Sequence, residues 1–182
     1  MTKAKSEKIT VGSGYAYLIP YAEEIPTVEE ICVDENLLGY TKGGAALEYT
    51  DEIHEEKDDL GHVYKIITTN EELIFKLGLL TWDGNTLPYM IDRCKSEVKD
   101  GKRITKIGGA GNAQGKYYVL CFHHPDAQAG DLWVMIVGRN TAGATLTFAM
   151  DEGTKLEPEF KALPLLDEDG TLAMLYEEIP AA

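Results

Sequence analysis

Apolar and polar positions alternate over long parts of the chain, which predicts β-strands rather than helices. The segment 73–80 carries a leucine or phenylalanine at every second position, and a period of two residues places such side chains on one face of a strand. The segment 9–21 is rich in β-branched and aromatic residues and predicts a strand that Pro20 ends. Further strand-like runs, separated by turn residues, are 63–67, 102–109, 116–124, 131–140, 144–153, 156–166 and 171–179.

Turn and helix signals are fewer than strand signals. The sequence GYTKGG at 39–44 predicts a turn, and the segment 20–36 predicts a connection or a short helical turn. Asp83 or Asn85 is placed to cap a short helix that runs to about Cys94. Because strands and helices do not alternate regularly, a parallel α/β sheet is not expected.

These elements predict an all-β fold with one small helix. We expect two packed antiparallel sheets that form a β-sandwich or barrel, with a flanking α-helix and a long protruding hairpin loop. A chain of 182 residues is long enough for a single domain, here 1–182. Within it we expect a flexible N-terminal arm at 1–9, the hairpin loop at 50–62 and a flexible C-terminus at 177–182.

The chain is strongly acidic, with 31 Asp and Glu against 17 Lys and Arg and a formal net charge of −14. Binding to phosphates needs clustered cations, so this balance argues against nucleic-acid binding and against binding to anionic membranes. It is compatible with a protein past which nucleic acid slides without sticking. Neither a signal peptide nor an apolar run of roughly 20 residues is recognisable, so we expect synthesis in a cytoplasm.

Residues with catalytic or metal-binding chemistry form no recognisable motif. The glycine-rich segment 107–116 lacks the spacing of a phosphate-binding loop and leads into a strand, which favours a hairpin loop. His123 and His124 are neighbours on a predicted strand, so they point to opposite faces and are poorly placed to share a metal. We expect no enzyme, no cofactor and no metal site, and we expect Cys32, Cys94 and Cys121 to be small buried or semi-buried apolar residues in a reducing compartment.

The most charged stretch is 48–65, EYTDEIHEEKDDLGHVYK, with seven acids, two histidines and two lysines. An EF-hand calcium loop needs Asp or Asn at its third position, where this chain has Ile53 or Leu60, depending on the start. A pair of catalytic carboxylates is not judged by sequence spacing, because the fold sets their separation. The strand-like flanks favour two strands that run out to a solvated, charged tip.

Three groups of residues occur in a fixed order along the chain. They are Gly39, Gly43, Ala46, Leu47 and Tyr49; then Glu72, Lys76, Gly78 and Leu80; then Glu159, Phe160, Ala162 and Pro164, followed by Asp167, Asp169, Gly170 and Thr171. This ordered set, within 10–176, resembles the tail tube proteins of long-tailed bacteriophages with Gram-positive hosts. In the first group, the last glycine-to-leucine spacing is one residue longer than in that family.

The resemblance implies an antiparallel β-sandwich with one flanking helix, whose subunits form six-fold rings that stack into a tube. Each subunit of such a tube lends strands to a barrel around an acidic lumen, through which DNA passes without specific binding. The implied partners are other copies of the chain, a tape-measure protein in the lumen, and tail terminator and baseplate or tail-tip proteins. The implied location is the virion tail, assembled in the cytoplasm of the bacterial host.

The resemblance also assigns candidate surfaces. Contacts between stacked rings are expected from the hairpin tip, which comprises Glu55, Glu56, Lys57, Asp58, Asp59, Leu60 and Gly61. Glu48 and Glu72 are candidates for the lumen, and closure of the sheet between subunits is expected from the strand at 131–138. The basic arm is expected to meet an acidic surface of a neighbouring ring through Lys3, Lys5 and Lys8.

Two alternatives to the tail tube stay open. The first keeps the fold and places the chain in a contractile tail-like particle, or in a ring at the head–tail junction or baseplate. The second is a β-sandwich that binds a carbohydrate or another small ligand, or an enzyme. That protein would use the aromatic residues Trp82, Trp133, Tyr117 and Tyr118, although aromatic residues on strands more often serve cores and interfaces.

Overall fold

The structure, a computed structural model, describes residues 13–62 and 64–179 and is mostly β-structure, with 49% of residues in strands and 8% in helices. This confirms the predicted all-β class with antiparallel sheets and little helix. The strands are β1 Tyr15–Pro20, β2 Leu37–Lys57, β3 Tyr64–Leu79, β4 Cys94–Lys99, β5 Lys102–Ile107, β6 Tyr118–His124, β7 Leu132–Asn140, β8 Glu159–Ala162 and β9 Ala173–Glu177. The two α-helices have one turn each and are α1 Val28–Ile31 and α2 Leu87–Met90.

The larger of two sheets closes on itself. Its strand order is β6-β1-β2-β3-β8-β7-β9, and β6 also pairs with β7, so six strands form a closed ring of antiparallel pairings. Strand β9 pairs with the first half of β7, from Leu132 to Ile136, and β8 pairs with its end, from Gly138 to Asn140. The smaller sheet is the β4–β5 hairpin. Closure removes free edges from most of the body.

The main core is formed by the inward-facing side chains of the closed sheet. The alternation that predicts a strand at 73–80 is confirmed, because Leu73, Phe75, Leu77 and Leu79 are all buried. They share a hydrophobic cluster with Phe160 of β8 and with residues of β1, β6 and β7. Burial on one face of β3 therefore follows directly from its period of two.

A second cluster lies on the opposite face of β6 and β7. Val119 and Cys121 of β6 face Met135 and Val137 of β7 there, and Ile31 of α1 covers them. Both faces of these strands are buried, which is why their apolar runs are continuous instead of alternating. Helix α1 is held at its start by a capping box, in which Thr27 and Glu30 exchange side-chain and backbone hydrogen bonds.

Three expectations about local structure are wrong. The segment 39–44 is no turn: it is a bulge inside β2, between the pairs Thr41↔Leu79 and Ala45↔Leu77. Gly43 and Gly44 adopt positive φ angles of 89° and 79°, so the chain absorbs two extra residues without reversing.

The predicted helix to Cys94 is a single turn, and the predicted strand at 144–153 is absent. Ile91, after the last residue of α2, is already extended, and Cys94 begins β4 by pairing with Ile107. In 144–153 the structure has no strand, and Phe148 and Met150 are exposed. The edges of β7 that this segment could join are taken by β6, β8 and β9.

Parts of the expected arms lie outside the described residues. The arm at 1–9, with Lys3, Lys5 and Lys8, belongs to this part of the chain. Of the segment 177–182, Glu177 ends β9, whereas 180–182 are not among the described residues.

Candidate functional site: an exposed acidic ribbon

The β2–β3 hairpin runs far beyond the body of the protein. Strand β2 has 21 residues, about twice the usual upper length of a strand in a globular protein. Its pairing with β3 continues to Lys57↔Tyr64. Every residue of 45–57 and of 64–71 is exposed. We call these two segments, with the turn between them, the ribbon; most of the predicted hairpin loop at 50–62 is therefore paired strand.

The tip of the ribbon, residues 54–62, is a tight turn flanked by carboxylates. The Gly61 N–H donates to the Asp58 carbonyl at 3.0 Å, and Gly61 has a φ of 71°, which suits glycine at the end of such a turn. Leu60 stands out at 77% exposure. The ion pairs described at the tip stay inside the ribbon; they are His54–Glu56, Lys57–Glu55 and His62–Asp58.

Large apolar side chains also lie on the ribbon without cover. The pairs Ile53↔Thr68, Glu55↔Ile66 and Lys57↔Tyr64 alternate along the ladder, so Ile53, Ile66 and Tyr64 share one face. All three are about half exposed, between 49% and 56%. The charge of Lys57 lies 4.9 Å from the centre of the Tyr64 ring. Exposed apolar groups bordered by charges are typical of contact surfaces.

The two lumen candidates, Glu48 and Glu72, lie on the same face of the hairpin. Glu48 is paired with Ile74 and Glu72 with Thr50, and this register turns both away from the buried Phe75. Each carboxylate meets a lysine: Glu48 lies 2.9 Å from Lys76, and Glu72 contacts Lys161. The hydrogen bond that Lys76 donates to Glu48 raises the pKa of Lys76. The shared outer face is therefore polar and locally charge-paired.

Free strand edges are found on the ribbon and not on β7. Beyond Thr41, β2 has no second partner strand among the described residues, and the same is true of 64–73 in β3. In contrast, β7 is paired along both edges within the chain. The expectation that the strand at 131–138 closes the sheet between subunits is wrong, because that strand has no edge to offer.

Sequence reasoning missed a basic counterpart of the ribbon. The segment 93–116 holds seven Lys and Arg against two Asp and Glu, in a chain with a net charge of −14. Its seven cations are all exposed. The signal was present in the local charge count, but the total charge concealed it.

One contact joins two cysteines that are distant in sequence. The sulfur atoms of Cys32 and Cys121, both free thiols, lie 3.7 Å apart. The hydrogen bond with Cys121 lowers the pKa of Cys32, and the same contact together with burial raises the pKa of Cys121. Cys94 is also free and is buried, in agreement with the expectation for it.

The histidine pair is divided between two environments, as expected for neighbours on a strand. His123 donates from Nε2 to Asp131 at 2.7 Å and stacks on Trp133 with a ring separation of 4.9 Å. His124 is buried and donates from Nδ1 to the Ser13 carbonyl at 2.7 Å. The Asp126 N–H and His123 together lower the pKa of Asp131.

The four aromatic residues of the ligand-binding alternative lie in different surroundings. Trp82 packs on the main core and donates to the Thr154 carbonyl. Tyr118 is buried, and Trp133 belongs to the second cluster. Tyr117 is 40% exposed beside Arg139. This arrangement does not bring the four rings to one pocket.

The described residues contain neither a cluster suited to a metal ion nor a helix suited to a membrane. Within 13–62 and 64–179, three or more His, Cys, Asp or Glu side chains are nowhere grouped as a metal ion requires. No helix in these ranges is long and apolar enough to span a membrane.

Comparison with known proteins assigns no family to the chain. No protein-family model matches it. No curated protein matches it either.

Proposed function

We propose that the protein is a structural subunit of a bacteriophage tail tube, which assembles with copies of itself into stacked hexameric rings. The observation that carries the proposal is the ribbon: a paired extension that is exposed on both faces and has open strand edges. The order of short motifs along the chain supports the same family. The exposed ribbon is a surface suited to assembly with other copies, and it is not a pocket suited to a reaction.

The ribbon is unfavourable for a protein that stays monomeric, because it adds little stability and exposes open strand edges. An isolated two-stranded ribbon is only marginally stable in water, and a long open edge invites pairing with other chains. Ile53, Ile66 and Tyr64 add apolar surface that its own body does not cover. A ring of subunits covers such edges and side chains, because each copy offers one surface and receives another in a heterologous contact that closes.

The proposed lumen surface is the outer face around Glu48 and Glu72. This face is polar, and its lysines are already engaged with carboxylates: Lys76 with Glu48 and Glu159, and Lys161 with Glu72. Cations neutralised in this way are poor partners for phosphates. A channel lined by the face would let DNA slide through without binding it.

The first test is the assembly state of the purified protein. Concentrated protein is expected to form rings or tubes that are visible by negative-stain electron microscopy and that light scattering detects as its concentration rises. A protein that stays monomeric at every concentration and salt condition would overturn the proposal.

A second test reverses charges at the tip. The triple variant Glu56→Lys, Asp58→Lys and Asp59→Lys is expected to keep the circular dichroism spectrum and melting temperature of the monomer, because the tip contributes nothing to the core. Tube growth should be strongly impaired. Unchanged polymerisation of this variant would show that the tip makes no contact between rings.

A further inference from the structure

Opposite charges are concentrated in two separate hairpins of this chain. Residues 48–72, which comprise most of the ribbon and Glu72 at its base, hold nine Asp and Glu against two Lys. Residues 93–116 hold seven Lys and Arg against two Asp and Glu. The described ion pairs of the tip are made within the ribbon. Those of the β4–β5 hairpin reach only Asp83 and Glu97. Two surfaces of opposite charge on one chain favour contact between the acidic surface of one copy and the basic surface of another.

The basic region forms a groove. A cavity of about 560 Å³ lies between α2, the β4–β5 hairpin and the loop 108–116. Its charged lining residues are Lys95, Lys106, Lys116 and the single acid Glu97, and Pro88 and Tyr89 supply apolar surface. We call this cavity the basic groove.

The register of β4 and β5 places lysines directly opposite lysines. Lys95 pairs with Lys106 and Lys99 with Lys102, and alternate pairs in a ladder share a face. Like charges at directly opposed positions destabilise a hairpin. Glu97 is the acid among these residues, at 2.8 Å from Lys106. Lys95 also donates to the Gly111 carbonyl at 3.0 Å, so contacts within the chain relieve part of the repulsion between these lysines, and an external anionic partner would relieve more of it.

The tip of the ribbon has the complementary composition. Leu60, the most exposed apolar residue in the part of the ribbon that the structure describes, projects from a turn flanked by Glu55, Glu56 and Asp59. A leucine surrounded by carboxylates matches a groove with a proline and a tyrosine surrounded by lysines. Apolar contact at the centre with charge pairs at the rim is the usual arrangement of a protein interface.

We propose that the tip of the ribbon of one copy docks in the basic groove of a neighbouring copy. This inference deepens the proposed function and rests on it, because it names the surface that receives the ribbon in the assembled tube. Leu60 would contact Pro88 and Tyr89, and the carboxylates of the tip would meet Lys106 and Lys116. The contact is heterologous, so each copy both gives a tip and receives one.

The length of the ribbon fits a contact between copies. Strands extend by about 3.3 Å per residue, so the exposed segment 45–57 of β2 spans roughly 40 Å. Both strands of this segment remain exposed along it. An extension of that length carries its tip well away from its own body, within reach of an adjacent molecule.

The test uses charge reversal and its rescue in the full-length chain. The groove variant Lys106→Glu and Lys116→Glu should raise the protein concentration needed for polymerisation at least tenfold. The tip variant Glu56→Lys and Asp59→Lys should do the same. A chain that carries all four changes should polymerise again, because both surfaces have exchanged sign. Mixed groove and tip variants should also co-assemble at a concentration at which neither variant polymerises alone.

A matched control reverses the charge of two lysines elsewhere on the chain. Lys42→Glu and Lys155→Glu reverse two lysines that line a different cavity, and this variant should polymerise at the wild-type concentration. Melting temperatures of all variants within a few degrees of the wild type would exclude unfolding as the cause. If the control fails as the groove variant does, net charge and not the groove governs assembly, and the inference is wrong.

Cross-linking gives a direct reading of the contact. A carbodiimide joins a carboxylate to a lysine amine without a spacer, and a mixture of ¹⁴N- and ¹⁵N-labelled protein separates links between copies from links within one. Peptides that join 55–59 of one isotope to Lys106 or Lys116 of the other are expected in polymer. Their absence, with other intermolecular links present, would overturn the inference.

The outcomes separate this inference from the function on which it rests. Wild-type protein that never polymerises contradicts the tail tube function itself. Wild-type protein that polymerises, together with a groove variant that polymerises equally well, contradicts only the basic groove as the receiving surface.

Discussion

The β2–β3 hairpin contains two regions that share one backbone pairing and differ in what covers them. Near the base, β3 places Phe75 and Leu77 in the core, where they are 2% and 3% exposed. Further out, the antiparallel ladder continues beyond a register shift between Glu52 and Ile53, but Ile66 and Tyr64 are half exposed. Strand pairing and β-propensity therefore do not distinguish a core strand from an exposed one; the layer packed on the strand does.

This difference places most of the stabilising burial in one region, whereas the role in assembly that we propose falls on the other. Burial of apolar surface contributes roughly 25 cal/mol per Å², and only the base of the hairpin receives it. The ribbon has backbone hydrogen bonds and cross-strand contacts, such as the one from the Tyr49 hydroxyl to Glu71 at 3.0 Å. We expect changes in the body to alter folding and changes in the ribbon to alter assembly.

The largest contrast is expected between two truncations of apolar side chains. Phe160→Ala removes a side chain that is 0% exposed at the centre of the main core, and should lower the free energy of unfolding by about 3–5 kcal/mol. Ile66→Ala removes one that is 49% exposed and should change it by less than about 1 kcal/mol. Denaturant unfolding of the monomer measures both. Similar losses would mean that the ribbon packs on the body.

A smaller effect is expected from a methyl group placed between two body strands. A Cβ at Gly138 would overlap the backbone carbonyl of Lys161 in β8, so Gly138→Ala should cost about 1–3 kcal/mol. Gly111→Ala is the control, because no atom lies within 4 Å of its added Cβ. Thermal unfolding of the two variants compares them. Equal melting temperatures would show that β7 and β8 separate easily.

The pH dependence of the body gives a third test. The pKa of Asp131 is lowered by hydrogen bonds from the Asp126 N–H and His123, so its charged form stabilises the fold. That contribution is present above the unfolded pKa, near 3.8, and is lost as the pH falls through the lower folded value. Asp131→Asn should therefore cost about 1 kcal/mol at pH 7. The difference should shrink below pH 4, as unfolding curves at each pH would reveal; a constant difference would contradict it.

The smallest effect is expected on the outer face of the hairpin. Glu48 and Lys76 form an ion pair at 2.9 Å, but both side chains are substantially exposed. Such pairs contribute little and are screened by salt. Glu48→Gln should leave the melting temperature of the monomer almost unchanged, and any difference should vanish in 1 M salt. A large loss that survives high salt would place Glu48 in the stabilising region and not on an exposed surface.

Local periodicity was a good guide where one face of a strand is buried, and poor elsewhere. The alternation at 73–80 and the turn at the tip were predictable, because a strand period and a tight turn depend on neighbouring residues. The segment 39–44 has the sequence of a turn but forms a bulge, since its glycines are compatible with either structure. The segment 144–153 has the composition of a strand, but the edges of β7 that it could join are already paired with β6, β8 and β9.

The candidate site was predicted in part. The charged tip could be located from 48–65 alone, because its acids and flanking strands are continuous in sequence. The basic groove could not, because it combines α2, the β4–β5 hairpin and the loop 108–116. The contact between Cys32 and Cys121 is of the same kind, since 89 positions separate the two thiols.

The sequence by itself determined the strand-rich character of this protein, its acidity and its charged hairpin, since these follow from residue type and short-range spacing. The tertiary structure decided which strand edges are free, which face of the hairpin Glu48 and Glu72 occupy, and where the cations gather. Strand partners lie far apart along the chain, and a choice of partner settles both edges at once. For that reason β7 is paired along both edges, and the ribbon keeps open strand edges among the described residues.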